Sequence, residues 1–398
     1  GKHILLGITA GIAAYKTASL VRLFIKAGAE VKVIMTPAAK DFITPLTLST
    51  LSKNPVISSF TEETDDNAIW NNHVDLGLWA DLFVVAPATA NTLSKMAAGS
   101  SDNFLVATYL SAKCPVYFAP AMDLDMYKHP STKASLETLQ SFGNTMIPAT
   151  SGELASGLVG EGRMAEPEAI LNHIEAHMLQ SMPLYGKTVL ITAGPTYEAI
   201  DPVRFIGNHS SGLMGFEIAN HAAQLGAEVL YITGPTHYKT DHSRIKTIPV
   251  VSAEEMYSQV HTYFKSVDIA ILSAAVADYK PKNTATSKIK KNSQTLSLEL
   301  EKTKDILASL GTLKSHQLLV GFALETNDEV ANAIKKLKSK NLDLIVLNSL
   351  NDQGAGFGGT TNKITLIDKK LVQTEFSLKS KADVAIDIMN ELLKQFDA

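Results

Sequence analysis

The stretch His3-Ile4-Leu5-Leu6-Gly7-Ile8-Thr9-Ala10-Gly11-Ile12-Ala13-Ala14-Tyr15-Lys16 decides the fold. An apolar run ends in a turn of small residues around Gly11, and a helical pattern over 13–27 follows. A strand that is apolar at every position is buried on both faces, as in a parallel sheet covered by helices. The alternation continues, with strands predicted at 3–8, 31–36, 82–86 and 116–119 and helices at 13–27, 91–98 and 132–142. It restarts near residue 183, where 187–192 reads as a new first strand ahead of 229–233, 269–274, 318–322 and 344–347. The two starts share Ile-Thr-Ala-Gly at 8–11 and 191–194, and Gly-Ala-Glu-Val at 28–31 and 226–229. A distant duplication and two independent doubly wound starts explain this equally well, because a glycine often ends the helix before a second strand. The expected architecture is α/β, with two doubly wound domains at 1–182 and 183–398.

With 398 residues, 45% of them hydrophobic and 19% charged, the chain has the composition of a two-domain globular protein. A formal charge of −4 gives no footprint of a nucleic-acid binder, so the expected partners are small molecules or copies of the chain itself. No apolar run approaches the ~18 residues that span a bilayer. The opening Gly1-Lys2-His3 leads directly into a strand, which predicts a cytoplasmic protein with neither signal peptide nor membrane contact. Cys114 is the only cysteine, so an intramolecular disulfide is excluded and the thiol is expected to act as a small core hydrophobe. Segment 151–163, with Gly152, Gly157, Gly160 and Gly162, reads as a surface loop or active-site lid. Segment 279–292, with Lys280, Lys282, Lys288, Lys290 and Lys291, reads as a solvated charged loop.

The turn at Gly11 precedes a helix, whose free N–H groups favour a phosphate. The G-x-G-x-x-G spacing is absent, and the second strand ends in Met35-Thr36 where a dinucleotide fold places an acidic residue for the ribose. NAD is therefore disfavoured, and a mononucleotide with a single phosphate fits. After the next strand, Ala86-Pro87-Ala88-Thr89-Ala90-Asn91-Thr92 lies where open α/β sheets bind ligands, and Thr89, Asn91 and Thr92 also suit a helix cap.

Gly11-Ile12-Ala13-Ala14-Tyr15-Lys16, Met35-Thr36, Asn72-His73-Val74, Pro87-Ala88-Thr89-Ala90-Asn91-Thr92 and Ala119-Pro120-Ala121-Met122 together resemble the FMN-binding flavoprotein decarboxylases. Thr89 stands where that family has serine. Asp201-Pro202-Val203-Arg204, Asn208-His209-Ser210-Ser211-Gly212, Ala274-Ala275-Val276-Ala277-Asp278-Tyr279, Lys288-Ile289-Lys290-Lys291 and Gly321-Phe322-Ala323-Leu324-Glu325-Thr326 resemble phosphopantothenate–cysteine ligase. In this order the series is similar to the fused decarboxylase–ligase family of coenzyme A biosynthesis. The resemblance implies an FMN-binding flavodoxin- or Rossmann-like domain followed by a Rossmann-like ligase domain.

For the ligase, the resemblance implies that the 4'-phosphopantothenate carboxylate is activated by CTP as an acyl-cytidylate, which the amine of cysteine displaces. Lys288, Lys336 and Lys340 then supply positive charge, Asp278 and Phe322 contact the nucleotide, and Ser273, Ala274, Lys304, Asp305, Ile306 and Leu307 line its pocket. Thr303-Lys304-Asp305 departs from the family's asparagine–proline–aspartate, Asp305 alone matching. Arg204 and Asn208 match residues that hold the acyl-nucleotide, and Mg2+ is expected through the nucleotide phosphates.

For the decarboxylase, the resemblance implies FMN contacts at Thr9, Gly11, Ile12, Ala13, Thr36, Ala88, Thr89, Asn91, Thr92 and Met122, with His73 as the base. Loss of CO₂ from the cysteinyl carboxylate needs an electron sink, which a flavin provides by oxidising the carbon that bears sulfur. The 151–163 segment corresponds to the family's flap. Two positions depart from the pattern: Asp123 stands for the motif's asparagine, and Ser156 for the flap's proton-donating cysteine. These changes bear on the closing reduction to 4'-phosphopantetheine. The resemblance further implies trimeric flavin domains and dimeric ligase domains, with a dodecamer as one combination. Two alternatives stay open, a flavin half that serves only assembly and a decarboxylase for other cysteine carboxylates.

Overall fold

Backbone pairing orders the first six strands as Val56–Ile57, Glu30–Met35, His3–Ile8, Leu82–Ala88, Val116–Pro120 and Thr145–Met146, every neighbouring pair parallel. The computed structural model describes residues 1–62, 69–154, 156–290, 296–325, 327–349 and 359–396. Lys291 and Thr326, which belong to the motifs above, lie outside them, as does Ala155 of the flap segment. The described chain forms two compact units, Gly1–Met178 and Leu179–Ala398.

In the first unit, Leu6, Val33 and Val84 face a core with Leu20 and Phe24, while Leu5, Ile34 and Phe83 face one with Leu93 and Phe104. Both faces are buried, which is why these strands read as unbroken apolar runs. Strand order reverses between His3–Ile8 and Leu82–Ala88, so a crevice opens beyond their carboxyl ends. The single helix expected over 13–27 is divided into a 3-10 turn at Ile12–Lys16 and an α-helix at Thr17–Lys26. At the junction Thr17 Oγ1 donates to the Ala14 carbonyl at 2.7 Å. The stretch read as a surface loop or active-site lid is an antiparallel hairpin, Thr150–Glu153 with Val159–Arg163.

The second unit repeats the same parallel order, Ile245–Pro249, Glu228–Thr233, Thr188–Ala193, Ile269–Leu272, Leu318–Glu325 and Leu344–Ser349. It then adds antiparallel Ile364–Asp368 and Gln373–Glu375. Both units are thus doubly wound α/β folds with a switch point beside their first strand. The shared Gly-Ala-Glu-Val has a local cause, since Gly28 at φ 85° and Gly226 at φ 95° each end a helix in the left-handed region that favours glycine. Within the charged stretch read as irregular, Tyr279–Pro281 pairs antiparallel with Leu300–Lys302. The Cys114 thiol is half-buried just before Val116–Pro120, and burial pushes its pKa up.

Candidate active sites

A cavity of about 940 Å³ opens at the switch point of the first sheet. Gly11, Ile12 and Ala13 contribute the turn after the first strand, and Thr36 the end of the second. Thr89, Asn91 and Thr92 come from the loop and helix after Leu82–Ala88, and Met122 from beyond Val116–Pro120. Thr9 and Ala88 do not line it but are fully buried behind it. Thr9 Oγ1 donates to the Pro87 carbonyl at 2.6 Å and accepts from the Thr89 N–H at 3.1 Å, which fixes the loop that carries Thr89. The Thr36 hydroxyl oxygen is buried with no hydrogen-bond partner, although its residue lines the cavity. Such a group can take a polar atom of a ligand or a water as its partner.

The Gly-rich hairpin covers one side, and Gly160 and Gly162 sit in close contact with the segment beneath it. Gly162 stands at φ 141°, where a Cβ would lie 2.5 Å from the Met122 carbonyl oxygen. The Met122 N–H donates to the Gly162 carbonyl at 3.0 Å, and a Cβ on Gly160 would lie 2.5 Å from Leu124 Cδ1. The hairpin therefore docks by backbone on the segment that carries Met122 and Asp123. Buried Lys16 fixes its far end, donating to the Met164 carbonyl at 3.2 Å and to Glu166 Oε1 at 2.8 Å. That bond holds the Glu166 carboxyl below its ordinary pKa. Replacing Gly162 by Ala is expected to destabilise the flavin unit by more than about 1 kcal/mol, a cost typical of alanine at positive φ. Thermal melts that follow flavin release check this.

Asp123 and Ser156 both line this cavity. Asp123 also caps the helix Leu124–Lys128, its Oδ1 accepting from the Leu124 N–H at 2.6 Å, so cap and cavity positions coincide. His73 is elsewhere. It begins the helix His73–Trp79, stands edge-on to Phe60 and Phe104 at 5.9 and 6.4 Å, and has a buried Nδ1 without a partner. It is not among the residues lining its own chain's cavity.

In the second unit two cavities, of about 290 and 480 Å³, share Ala274, Val276, Asp278, Phe322 and Lys336. Asn208 and Ser273 line only the smaller; Lys304, Asp305, Ile306, Leu307 and Lys340 line only the larger. Burial, and then the like charge of Lys340, pushes the Lys336 pKa down, and its Nζ donates to the Phe322 carbonyl at 2.7 Å. Lys340 pairs with Asp305 at 2.7 Å and Lys304 with Glu254 at 2.6 Å. Asn208 Nδ2 donates to the Ala275 and Val276 carbonyls at 3.0 and 3.3 Å.

Two of the residues singled out in the sequence line neither cavity. Lys288 is exposed. The Arg204 guanidinium is bound to buried Asp201 and, at 2.9 Å, to the Ile289 carbonyl, and it holds the Asp201 carboxyl well below the usual carboxylate range. Conversely, Ser210, Ser211, Asn348, Asn362 and Lys381 line the smaller cavity without having been assigned to it from sequence. Ser210 and Ser211 sat in a quoted motif just before the helix Leu213–Gln224; the other three have no local signal.

Fold and crevices define a two-domain α/β protein with open cavities at the switch point of each sheet. Family models for a Flavoprotein domain and for the DNA/pantothenate metabolism flavoprotein C-terminal domain match residues 1–179 and 184–396. The chain is 45% identical to the coenzyme A biosynthesis bifunctional protein of Bacillus subtilis (strain 168), covering 98% of this chain and 96% of that one. It is 54% identical to a cysteine/cysteine sulfinic acid decarboxylase of an unknown prokaryotic organism, over 88% of this chain and 99% of the relative. The crystal structure of the C-terminal domain of a coenzyme A biosynthesis bifunctional protein matches 55% of the chain and 99% of its own at 40% identity, with a TM-score of 0.47. The chain belongs to the family of bifunctional coenzyme A biosynthesis proteins.

Proposed function

We propose that the chain carries out two consecutive steps of coenzyme A biosynthesis. The second unit ligates 4'-phosphopantothenate with cysteine, using CTP and Mg2+; the first decarboxylates 4'-phosphopantothenoylcysteine with FMN and completes its reduction to 4'-phosphopantetheine. The observation that carries this reading is that both crevices lie at switch points and gather most of the residues assigned to them from sequence.

Gly11 and the unpartnered Thr36 hydroxyl fit the phosphate and polar edge of a flavin mononucleotide, and Thr89, Asn91, Thr92 and Met122 its body. When bound, FMN supplies the electron sink for decarboxylation. His73 acts as the base that removes a proton during oxidation, and Asp123 and Ser156 lie where a proton can be returned. In the ligase, Asp278 and Lys336 line both cavities, Asp278 to contact the nucleotide and Lys336 to supply positive charge to its phosphates. Asn208 holds the acyl-nucleotide beside the Ala275 and Val276 carbonyls, and the amine of cysteine displaces it.

As the base, His73 would serve the flavin cavity of a second copy, in keeping with trimeric flavin units. Trp70, Val74 and Leu78 near His73, and Ile12 and Tyr15 at the cavity, are large apolar residues left exposed on one chain. Dimers of the ligase unit complete the assembly, which works in the cytoplasm; among the described residues no helix is long and apolar enough to cross a membrane.

A second reading rests on the 54% relative, namely decarboxylation of free cysteine or its sulfinate. The first cavity argues for the larger substrate, since about 940 Å³ leaves room beside a flavin for an extended acyl chain. The test supplies 4'-phosphopantothenate, cysteine and either CTP or ATP, and follows pyrophosphate and CO₂ separately. CTP-dependent pyrophosphate release followed by CO₂ is expected. CO₂ from cysteine alone at an equal rate, or no pyrophosphate with either nucleotide, would overturn it. Asn208→Asp is expected to keep pyrophosphate release but slow amide formation, because it sets a negative charge beside the acyl-nucleotide phosphate. Quenched-flow analysis should find the acyl-nucleotide accumulating.

A further inference from the structure

Arg163 ends the hairpin strand Val159–Arg163 and lines the cavity of the first unit. The register of the hairpin shifts between Glu161 and Arg163, which leaves Gly162 as a bulge. A bulge bends its strand and re-aims the side chain beside it, and bulges are common next to active sites for that reason. Across the hairpin a Cβ on Gly152 would lie 3.2 Å from Arg163 Nη1, so the guanidinium rests on a position without a side chain.

The charges around it do not cancel. Glu166 Oε1 accepts from Arg163 Nη2 at 3.0 Å and from the buried Lys16 Nζ at 2.8 Å, so two cations share one carboxylate. Among the described residues neither Asp123 nor Glu153, which also line the cavity, forms an ion pair with Arg163. Lys95, another cation of the lining, is matched one to one with Asp102 at 2.5 Å. Lys16 gives its ammonium to Glu166 and to the Met164 carbonyl, whereas Arg163 commits to Glu166 one amino group of a planar fork with five donors. The side chain of Arg163 is 42% exposed, so the fork stays within reach of a ligand.

We propose that Arg163 recognises the phosphate at the end of the decarboxylase substrate remote from the cysteinyl carboxylate, and so selects a phosphorylated acyl chain. The inference rests on the decarboxylase reading above and adds the source of its selectivity. A guanidinium meets a phosphate through two parallel N–H···O bonds, which give direction as well as charge. The flavin phosphate is the other anion expected in this cavity, but the contacts assigned to the flavin come from strand ends and the loops that follow them. Arg163 stands instead on the hairpin that includes Ser156, the wall assigned to the substrate. Free cysteine, the substrate of the second reading, carries no phosphate for it to hold.

The experiment uses the full chain with FMN bound and compares 4'-phosphopantothenoylcysteine with its dephosphorylated form, kcat/KM for each being read from CO₂ release. Wild-type protein is expected to prefer the phosphorylated form. Arg163→Met should cut that preference about ten- to hundred-fold, the worth of charge-assisted hydrogen bonds, chiefly through KM. Arg163→Lys should recover part of it. The FMN ratio should hold, and the thermal midpoint should stay within about 4 °C, because a half-exposed ion pair contributes little and Lys16 keeps its bond to Glu166. A wild type that takes both forms equally, an unchanged preference in Arg163→Met, or loss of flavin from that variant would each overturn the assignment, the last by giving Arg163 to the flavin phosphate. Wild-type protein that releases CO₂ from cysteine but from neither acylated form would overturn the decarboxylase reading, and the assignment with it.

Discussion

His73→Asn is expected to retain FMN at the wild-type ratio and to lower CO₂ release from 4'-phosphopantothenoylcysteine by about 10²–10⁴-fold, the usual contribution of a general base. Retention is expected because the residues assigned to the flavin, Gly11, Thr36 and those of the loop after Leu82–Ala88, are left unchanged. The imidazole is held edge-on to Phe60 and Phe104, so its loss also removes aromatic packing. That costs about 1 kcal/mol of stability, which a thermal melt separates from the kinetic effect. Rapid anaerobic mixing with substrate should leave the flavin absorbance unbleached. Bleaching at the wild-type rate would remove His73 from the oxidation step. Because the base is supplied by a second copy in this reading, mixing inactive His73→Asn chains with chains inactivated at Asp123 should restore part of the activity. No recovery in verified mixed oligomers would place base and cavity on one chain.

The parts that were legible in the sequence are those where one local rule acts alone. Strands such as His3–Ile8 are buried on both faces, and burial leaves an apolar run with clear ends. The two starts were legible for the same reason, and Gly28 and Gly226 marked helix ends through backbone conformation. The hairpin from Thr150 to Arg163 was not legible. Its strands are largely exposed and carry no apolar alternation, and its glycines answer to Met122 and Leu124 about 40 residues away. Sites assembled from distant segments behave similarly. Asn348, Asn362 and Lys381 meet in one cavity only after the antiparallel edge and the last helix are in place, and nothing around any of them announces a ligand. His73 was assigned through resemblance alone, since a histidine in Asn72-His73-Val74 otherwise reads as one residue after a helix cap. Arg204 illustrates the converse: its motif was visible, but the chain binds its guanidinium to Asp201.

The second large effect concerns the last proton of the decarboxylase reaction. Asp123 and Ser156 both line the flavin cavity, in place of the asparagine and cysteine of the resembling enzymes. A serine hydroxyl is far less acidic than a thiol of pKa ~8.5, so Ser156 is a poor donor in its place. Asp123 is better placed chemically. Its Oδ1 is taken by the Leu124 N–H at 2.6 Å, which fixes the carboxyl and leaves transfer to Oδ2. The Met122–Gly162 backbone bond holds the hairpin over the same segment, so hairpin and carboxyl share one cavity wall. Asp123→Asn is therefore expected to allow CO₂ loss and then stall, with reduced flavin and the enethiol product accumulating anaerobically. Reoxidation should slow by at least about 10²-fold, the lower end for a lost general acid. Ser156→Ala should still yield 4'-phosphopantetheine, within about fivefold of the wild-type rate, since it removes no group of useful acidity. Single-turnover mixing, with flavin absorbance and product followed together, separates the two. If Ser156→Ala stalls while Asp123→Asn completes the reduction, the proton passes through the flap serine and Asp123 is left as the cap of its helix.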